Sequence, residues 1–225
     1  MPTPIQFKAP FIANAFYHIV CKSIDGILLF KQPQDYAVFY ERFRKFNSAF
    51  FNVWSYSLLS NHTHHIVKIK SIEDIVDYLE SDKNNSTTVS MNSFLQEPAS
   101  ESLLDTMLER QMNSFLVSYA NYYNNSYKRK GGLFQKPFKR IQITDDAHLQ
   151  QAVIYTNANA QKHKLVNDFT TYPYTSYTEV LLNCNSSVCC KDVIEFFGSR
   201  DQFIKIHKEQ VEFYYNNNWP SSRLE

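Results

Sequence analysis

The sequence predicts an α+β fold: an antiparallel sheet with helices packed on it, followed by a C-terminal helical extension. Two patterns predict it. Short runs dense in β-branched and aromatic residues alternate with longer segments whose apolar residues recur at helical spacing. The first of these segments read β-α-β-β, and strands in that order need a helical cover to bury one face of their sheet. The chain is large enough for this, since 225 residues with 18 Phe and 15 Tyr can fill one substantial core.

The elements follow in order. Ala15 to Cys21 is β-branched and aromatic and reads as the first strand. Asp25-Gly26 is a turn signal before the short apolar run Ile27 to Phe30. Gln34 to Phe46 carries Tyr36, Phe39, Tyr40 and Phe43 at helical spacing with charges between them. Phe50 to Leu59 is the second strand and, after a break at Ser60-Asn61, His62 to Ile69 is the third. Ser71 to Leu79 is a short amphipathic helix, with Ser71 as N-cap and Glu73 and Asp74 in its first turn. The polar stretch 82–101 reads as a loop insertion. Met107 to Tyr123 is a longer helix with Met112, Phe115, Leu116 and Tyr119 as core positions. Ile141 to Ile143 reads as a strand and Asp145 to Gln161 as a helix capped by Thr144, whose Leu149, Ala152 and Val153 suit packing on a sheet. Phe169 to Tyr177 is a tyrosine-rich loop. Val193 to Gln210 forms one or two helices, part of an extension over residues 183–225 beyond a domain of residues 1–182. The apolar spacing of the extension favours packing on the core over contact with a ligand.

Composition removes several function classes. The four glycines form no phosphate-binding loop, so any phosphate chemistry runs without an NTP-binding loop. Cys21, Cys184, Cys189 and Cys190 have neither metal-ligand nor disulfide-framework spacing, which points to a reduced, cytoplasmic protein. No leader pattern opens the chain and no apolar run approaches about 18 residues, so no membrane partner is expected. A formal charge of +1 leaves the choice of partner to how the charge is distributed.

Three stretches carry chemistry. On a strand, side chains alternate faces, so His62 and His64 point one way while Thr63 and His65 point the other. Two imidazoles on one face are either surface histidines of an edge strand or the start of a divalent-metal site. Between Lys128 and Arg140 lie six Lys/Arg and no acid, interleaved with Phe134 and Phe138. Such a run is either a solvated loop or a nucleic-acid surface, in which cations meet phosphates and rings stack on bases. Tyr155, Asn159 and His163 are four residues apart in turn and therefore share one helical face, either as core or as a functional line.

Five segments together resemble the single-tyrosine His-hydrophobe-His (HUH) transposases, the REP-associated tyrosine transposases in particular. They are Tyr17-His18-Ile19-Val20, Leu59-Ser60-Asn61-His62-Thr63-His64, Gly132 to Lys139, Tyr155-Thr156-Asn157-Ala158-Asn159, and Tyr172-Pro173-Tyr174-Thr175-Ser176-Tyr177, in the family's order. Thr63 stands in for the family's middle hydrophobe, and Ala160 for the proline that often follows the helix asparagine. The resemblance implies a ferredoxin-like (RRM-like) HUH endonuclease fold. It implies a metal held by His62, His64 and Asn159, either Mg²⁺ or Mn²⁺, and Tyr155 as the nucleophile that forms a 5′-phosphotyrosine. It also implies a DNA-binding surface from Lys128, Arg129, Lys130, Phe134, Gln135, Lys136, Lys139 and Arg140, facing single-stranded or hairpin DNA. The family includes monomers and homodimers. A regulator that binds DNA without cutting it is the alternative from another class. A relaxase or replication initiator fits less well with one tyrosine and no helicase segment.

Overall fold

The structure, a computed structural model, describes residues 7–81, 88–182 and 187–217. At its centre four strands, β1 (Phe16–Lys22), β2 (Phe51–Leu58), β3 (His62–Ile69) and β4 (Lys139–Ile143), form a sheet in the order β2-β3-β1-β4. Every neighbouring pair is antiparallel. This is the predicted α+β architecture, with a ferredoxin-like strand order.

Helices cover both faces of the sheet. On one face lie α1 (Pro33–Asn47) and α4 (Glu101–Ser126), whose Phe39, Phe43, Phe115 and Tyr119 are buried. Burying each large apolar side chain there contributes about 1.5–3 kcal/mol. His65 belongs to this face, its ring stacked on Phe43 at a centroid distance of 4.3 Å. The other face is covered by α5 (Asp146–Lys162). Register decides which residues meet α5: Val20 is opposite His64 and Lys22 opposite His62, so these and His18 project to the same side. In β2 a bulge between Val53 and Ser55 shifts the alternation, placing Ser55 opposite Ile66 and Ser57 opposite His64.

In the chain, α2 (Ile72–Ser81) and α3 (Val89–Gln96) follow β3 and precede α4. The Ser71 Oγ accepts from the Asp74 amide at 3.1 Å, the cap expected at the start of α2. The expected loop over 82–101 is corrected: α3 forms within it, capped by Thr88, and packs on α4 through buried Met91 and Phe94. Residues 82–87 of that stretch lie outside the described residues. Helix α4 also starts earlier than its apolar spacing indicates, at Glu101. The cap of α5 is Asp145, whose carboxylate accepts from the His148 amide at 2.8 Å, in place of Thr144.

After α5 come α6 (Tyr177–Leu182), α7 (Cys190–Phe196) and α8 (Arg200–Asn217). Helix α8 packs on α5, so α5 is enclosed between sheet and helix and every residue from Ala152 to Ala160 is buried. The chain around these helices also covers the outer edge of β2. The Leu58 amide donates to the Tyr174 carbonyl at 2.9 Å, and the Cys189 amide to the Val53 carbonyl at 2.8 Å. Among the described residues no disulfide joins Cys21, Cys189 and Cys190, and no helix is long and apolar enough to cross a membrane. Cys184 lies outside them.

Candidate functional site

The site forms where β1 and β3 meet α5. His18 and His64 are both fully buried, their rings stacked at 5.0 Å with His18 Nε2 2.8 Å from His64 Nδ1. His62, half-buried, lies 5.0 Å from His64, and His163 lies 4.9 Å from His62. The four imidazoles therefore form a file running from the interior to the exposed C-terminal end of α5. His163 is exposed and also belongs to this file, since its ring packs against His62.

Helix α5 lies along the file. Tyr155 sits 5.8 Å from His64 and 6.4 Å from His18, while His163, two turns on, meets His62. Asn159 is the residue between them on the same helical face. Both of its side-chain polar atoms are buried without a hydrogen-bond partner, as are His64 Nε2 and His18 Nδ1. Buried polar atoms are almost always satisfied, so a cluster of unsatisfied ones marks a place built for something else. Tyr155 itself is fully buried. The Lys162 ammonium donates to its hydroxyl at 2.9 Å and lies 4.7 Å from its ring.

Burial holds His18 and His64 neutral. It pushes His18 down to about 3, with nearby His148 adding to the shift, and it holds His64 well below the ordinary histidine value, with His18 and His62 adding to the effect. A neutral ring keeps a lone pair, which is what a metal ligand needs. The His62 ring is oriented by Asn61, whose Oδ1 lies 2.7 Å from His62 Nδ1. Among the described residues no group of three or more His, Cys, Asp or Glu is placed to hold a metal ion. Asn159, one turn beyond Tyr155 on α5, adds a side-chain amide oxygen and nitrogen to this helical face.

A cavity of about 470 Å³ opens beside the histidines, lined by Val20, Lys22, His62, His64, His163 and the stretch Gln135 to Lys139. The basic run divides at this cavity. Gln135 and Lys136 are exposed in its wall and Lys139 is half-buried there. Gln135 is anchored by its amide side chain donating to the Ser23 carbonyl at 3.0 Å. Lys128, Arg129 and Lys130 stand apart, beyond the C-terminal end of α4, with Arg129 donating to the Asn124 side-chain oxygen at 3.1 Å. Phe134 and Phe138 are both buried in the core, although Phe138 also contributes to the cavity wall. Arg140 points inward as β4 begins and pairs with Asp105 and Glu109 of α4, each at 3.0 Å.

Two contributors have no assigned role in the sequence reading. His18 lies in the segment Tyr17 to Val20, but a histidine in an apolar strand carries no spacing signal toward a partner 46 residues away. Lys162 had a signal available, since a residue two turns after Tyr155 shares its helical face.

No family model and no curated protein matches the sequence. Among solved structures, the chain is similar to a REP-associated tyrosine transposase bound to a REP hairpin. The similarity has a TM-score of 0.52 and 12% identity, over 77% of this chain and 83% of that one. Likeness at that identity is likeness of fold: the chain shares with that transposase an α+β architecture of antiparallel sheet and packed helices.

Proposed function

We propose that the protein is a metal-dependent single-stranded DNA endonuclease and strand transferase that acts on hairpin-bearing DNA through Tyr155. One observation carries the reading. Tyr155 lies beside His64, whose ring has an unsatisfied Nε2 and lines a cavity that Lys22, Lys136 and Lys139 also line. Asn159, with its own unsatisfied amide, follows one turn along the same helix.

The cavity lysines hold the DNA backbone by charge, and its volume suits one nucleotide unit and its phosphate. His62, His64 and Asn159 would hold the cation, and their mixed imidazole and amide donors suit Mn²⁺ or Mg²⁺ once phosphate oxygens join. When bound, such an ion polarises the scissile phosphodiester and offsets its developing charge. The Tyr155 oxygen attacks phosphorus and loses its proton as the new P–O bond forms. The bond from phosphorus to the 3′-oxygen breaks, leaving a 5′-phosphotyrosine and a 3′-OH that takes up a proton. The reverse attack by a 3′-OH rejoins strands without ATP. The Lys162 ammonium at the phenol oxygen stabilises negative charge there.

A second reading, a regulator that binds hairpins without cutting, is favoured by one observation: Tyr155 is fully buried with its hydroxyl held by Lys162. Cleavage therefore requires the Tyr155 hydroxyl, with Lys162 still beside it, to be uncovered when DNA enters. A covalent-adduct assay separates the two readings, using labelled hairpin oligonucleotides from the protein's own flanking DNA with Mn²⁺ or Mg²⁺. The transposase reading expects a denaturant-resistant band that is lost in Tyr155→Phe, in His64→Ala and with chelator. Hairpin binding without an adduct under either metal would establish the regulator.

A further inference from the structure

We propose that His18 is a positioning residue that, once a divalent cation binds, accepts from His64 Nδ1–H and so holds His64 in the one tautomer able to ligate it. The inference rests on the reading of His64 as a ligand, and its argument comes from the geometry of the His18–His64 contact.

Ring nitrogens 2.8 Å apart share a single proton, because two N–H groups cannot face each other. Two arrangements of the neutral pair follow. In one, His64 Nδ1–H donates to His18 Nε2, and His64 Nε2 carries a lone pair. In the other, His18 Nε2–H donates to His64 Nδ1, and His64 Nε2 carries a hydrogen and cannot ligate. The outer nitrogens, His64 Nε2 and His18 Nδ1, are both buried without partners. Either arrangement therefore buries one unsatisfied N–H. A cation at His64 Nε2 selects the first arrangement, because it gives that lone pair a partner.

His62 shows the same device in a simpler form. Its Nδ1 lies 2.7 Å from the Asn61 side-chain oxygen, which can only accept, so the proton is on Nδ1 and the lone pair on Nε2. Both β3 histidines are thus held through Nδ1, one by an amide and one by an imidazole. The imidazole holder differs in one respect: it can donate or accept, so His64 can change tautomer when a cation arrives or leaves. Contacts of this outer kind fix the tautomer and ring orientation of a ligating histidine, and losing one typically costs about 10–100-fold in metal affinity.

The test compares Mn²⁺ binding by electron paramagnetic resonance in the full chain, in His18→Leu and in His18→Gln, with ¹⁵N-imidazole spectra of the Mg²⁺-loaded wild type. His18→Leu is expected to weaken Mn²⁺ about 10–100-fold. His18→Gln, whose side-chain oxygen accepts from Nδ1–H, should recover most of that loss. Hairpin binding in chelator should be equal in all three. The spectra need no variant and should show His64 protonated at Nδ1. Mn²⁺ affinity unchanged in a folded His18→Leu protein, or His64 protonated at Nε2 in the loaded state, overturns the proposal. A wild type that takes up no Mn²⁺ overturns it too, together with the metal reading beneath it.

Discussion

Arg140 and Lys136 lie four residues apart in one basic run and do opposite things. Arg140 is almost fully buried between two carboxylates of α4, whereas Lys136 stands exposed in the cavity wall. Removing one partner of a buried ion pair leaves the others unpaired, so Arg140→Ala should cost about 3 kcal/mol in urea unfolding. Lys136→Ala combined with Lys139→Ala should leave stability within about 0.5 kcal/mol. The double variant should weaken hairpin binding and flatten its salt dependence by roughly 0.7 log units per lysine removed. The run could not be divided from sequence, because what separates its members is the start of β4 at Lys139 and acids at Asp105 and Glu109 on another element. The histidine faces, by contrast, follow from strand alternation alone, and His65 does stack on Phe43 on the opposite side from His64. Lys162→Met removes a charged hydrogen bond worth about 1.5–3 kcal/mol, and should slow adduct formation roughly 10–100-fold while hairpin binding is retained.

At the scale of elements, α5 is held from behind by a polar network. The Asn157 side-chain oxygen accepts from Ser55 at 3.0 Å and from Ser176 at 2.9 Å, and its nitrogen lies 3.1 Å from His207 Nε2 of α8. His207 Nδ1–H donates to the Phe203 carbonyl at 2.8 Å, so Nε2 accepts from Asn157 and the ring is neutral. Desolvation pushes His207 down to about 3, against a smaller opposing effect of the Phe203 bond. An unfolded chain takes up that proton near pH 6.5. The stability that the neutral ring contributes is therefore complete above about pH 6.5 and is lost as pH falls below it, at up to about 1.4 kcal/mol per pH unit. Urea midpoints measured between pH 7.5 and 5 should fall less steeply in His207→Gln, whose side chain does not titrate. Of this arrangement only the packing of the C-terminal helices was legible, in the apolar spacing over Val193 to Gln210. The network joins residues from β2, α5, α8 and the loop before α6, and no local pattern links them. Helix α3 stayed hidden for a different reason: eight residues with only Met91 and Phe94 as large buried side chains leave too short an apolar stripe to outweigh polar neighbours.

Across the whole molecule, strand order and helix placement bring together what the chain separates. His18, the β3 histidines and Tyr155 come from three elements and meet because β1 lies beside β3 and α5 packs over β2 and β3. All four strands and the tyrosine helix were readable because each contains one periodic run. The contacts that complete the site were not, because they depend on register. The same architecture has a cost at its rim. A sheet edge offers unpaired amide and carbonyl groups to any passing strand. At β2 that edge is covered partly by chain beyond residue 182, through the Cys189–Val53 bond. A fragment of residues 1–182 would keep every residue assigned to cleavage and still uncover part of β2. Light scattering should show it aggregating at concentrations where the full chain stays monodisperse, which would make the C-terminal helices a guard against self-assembly.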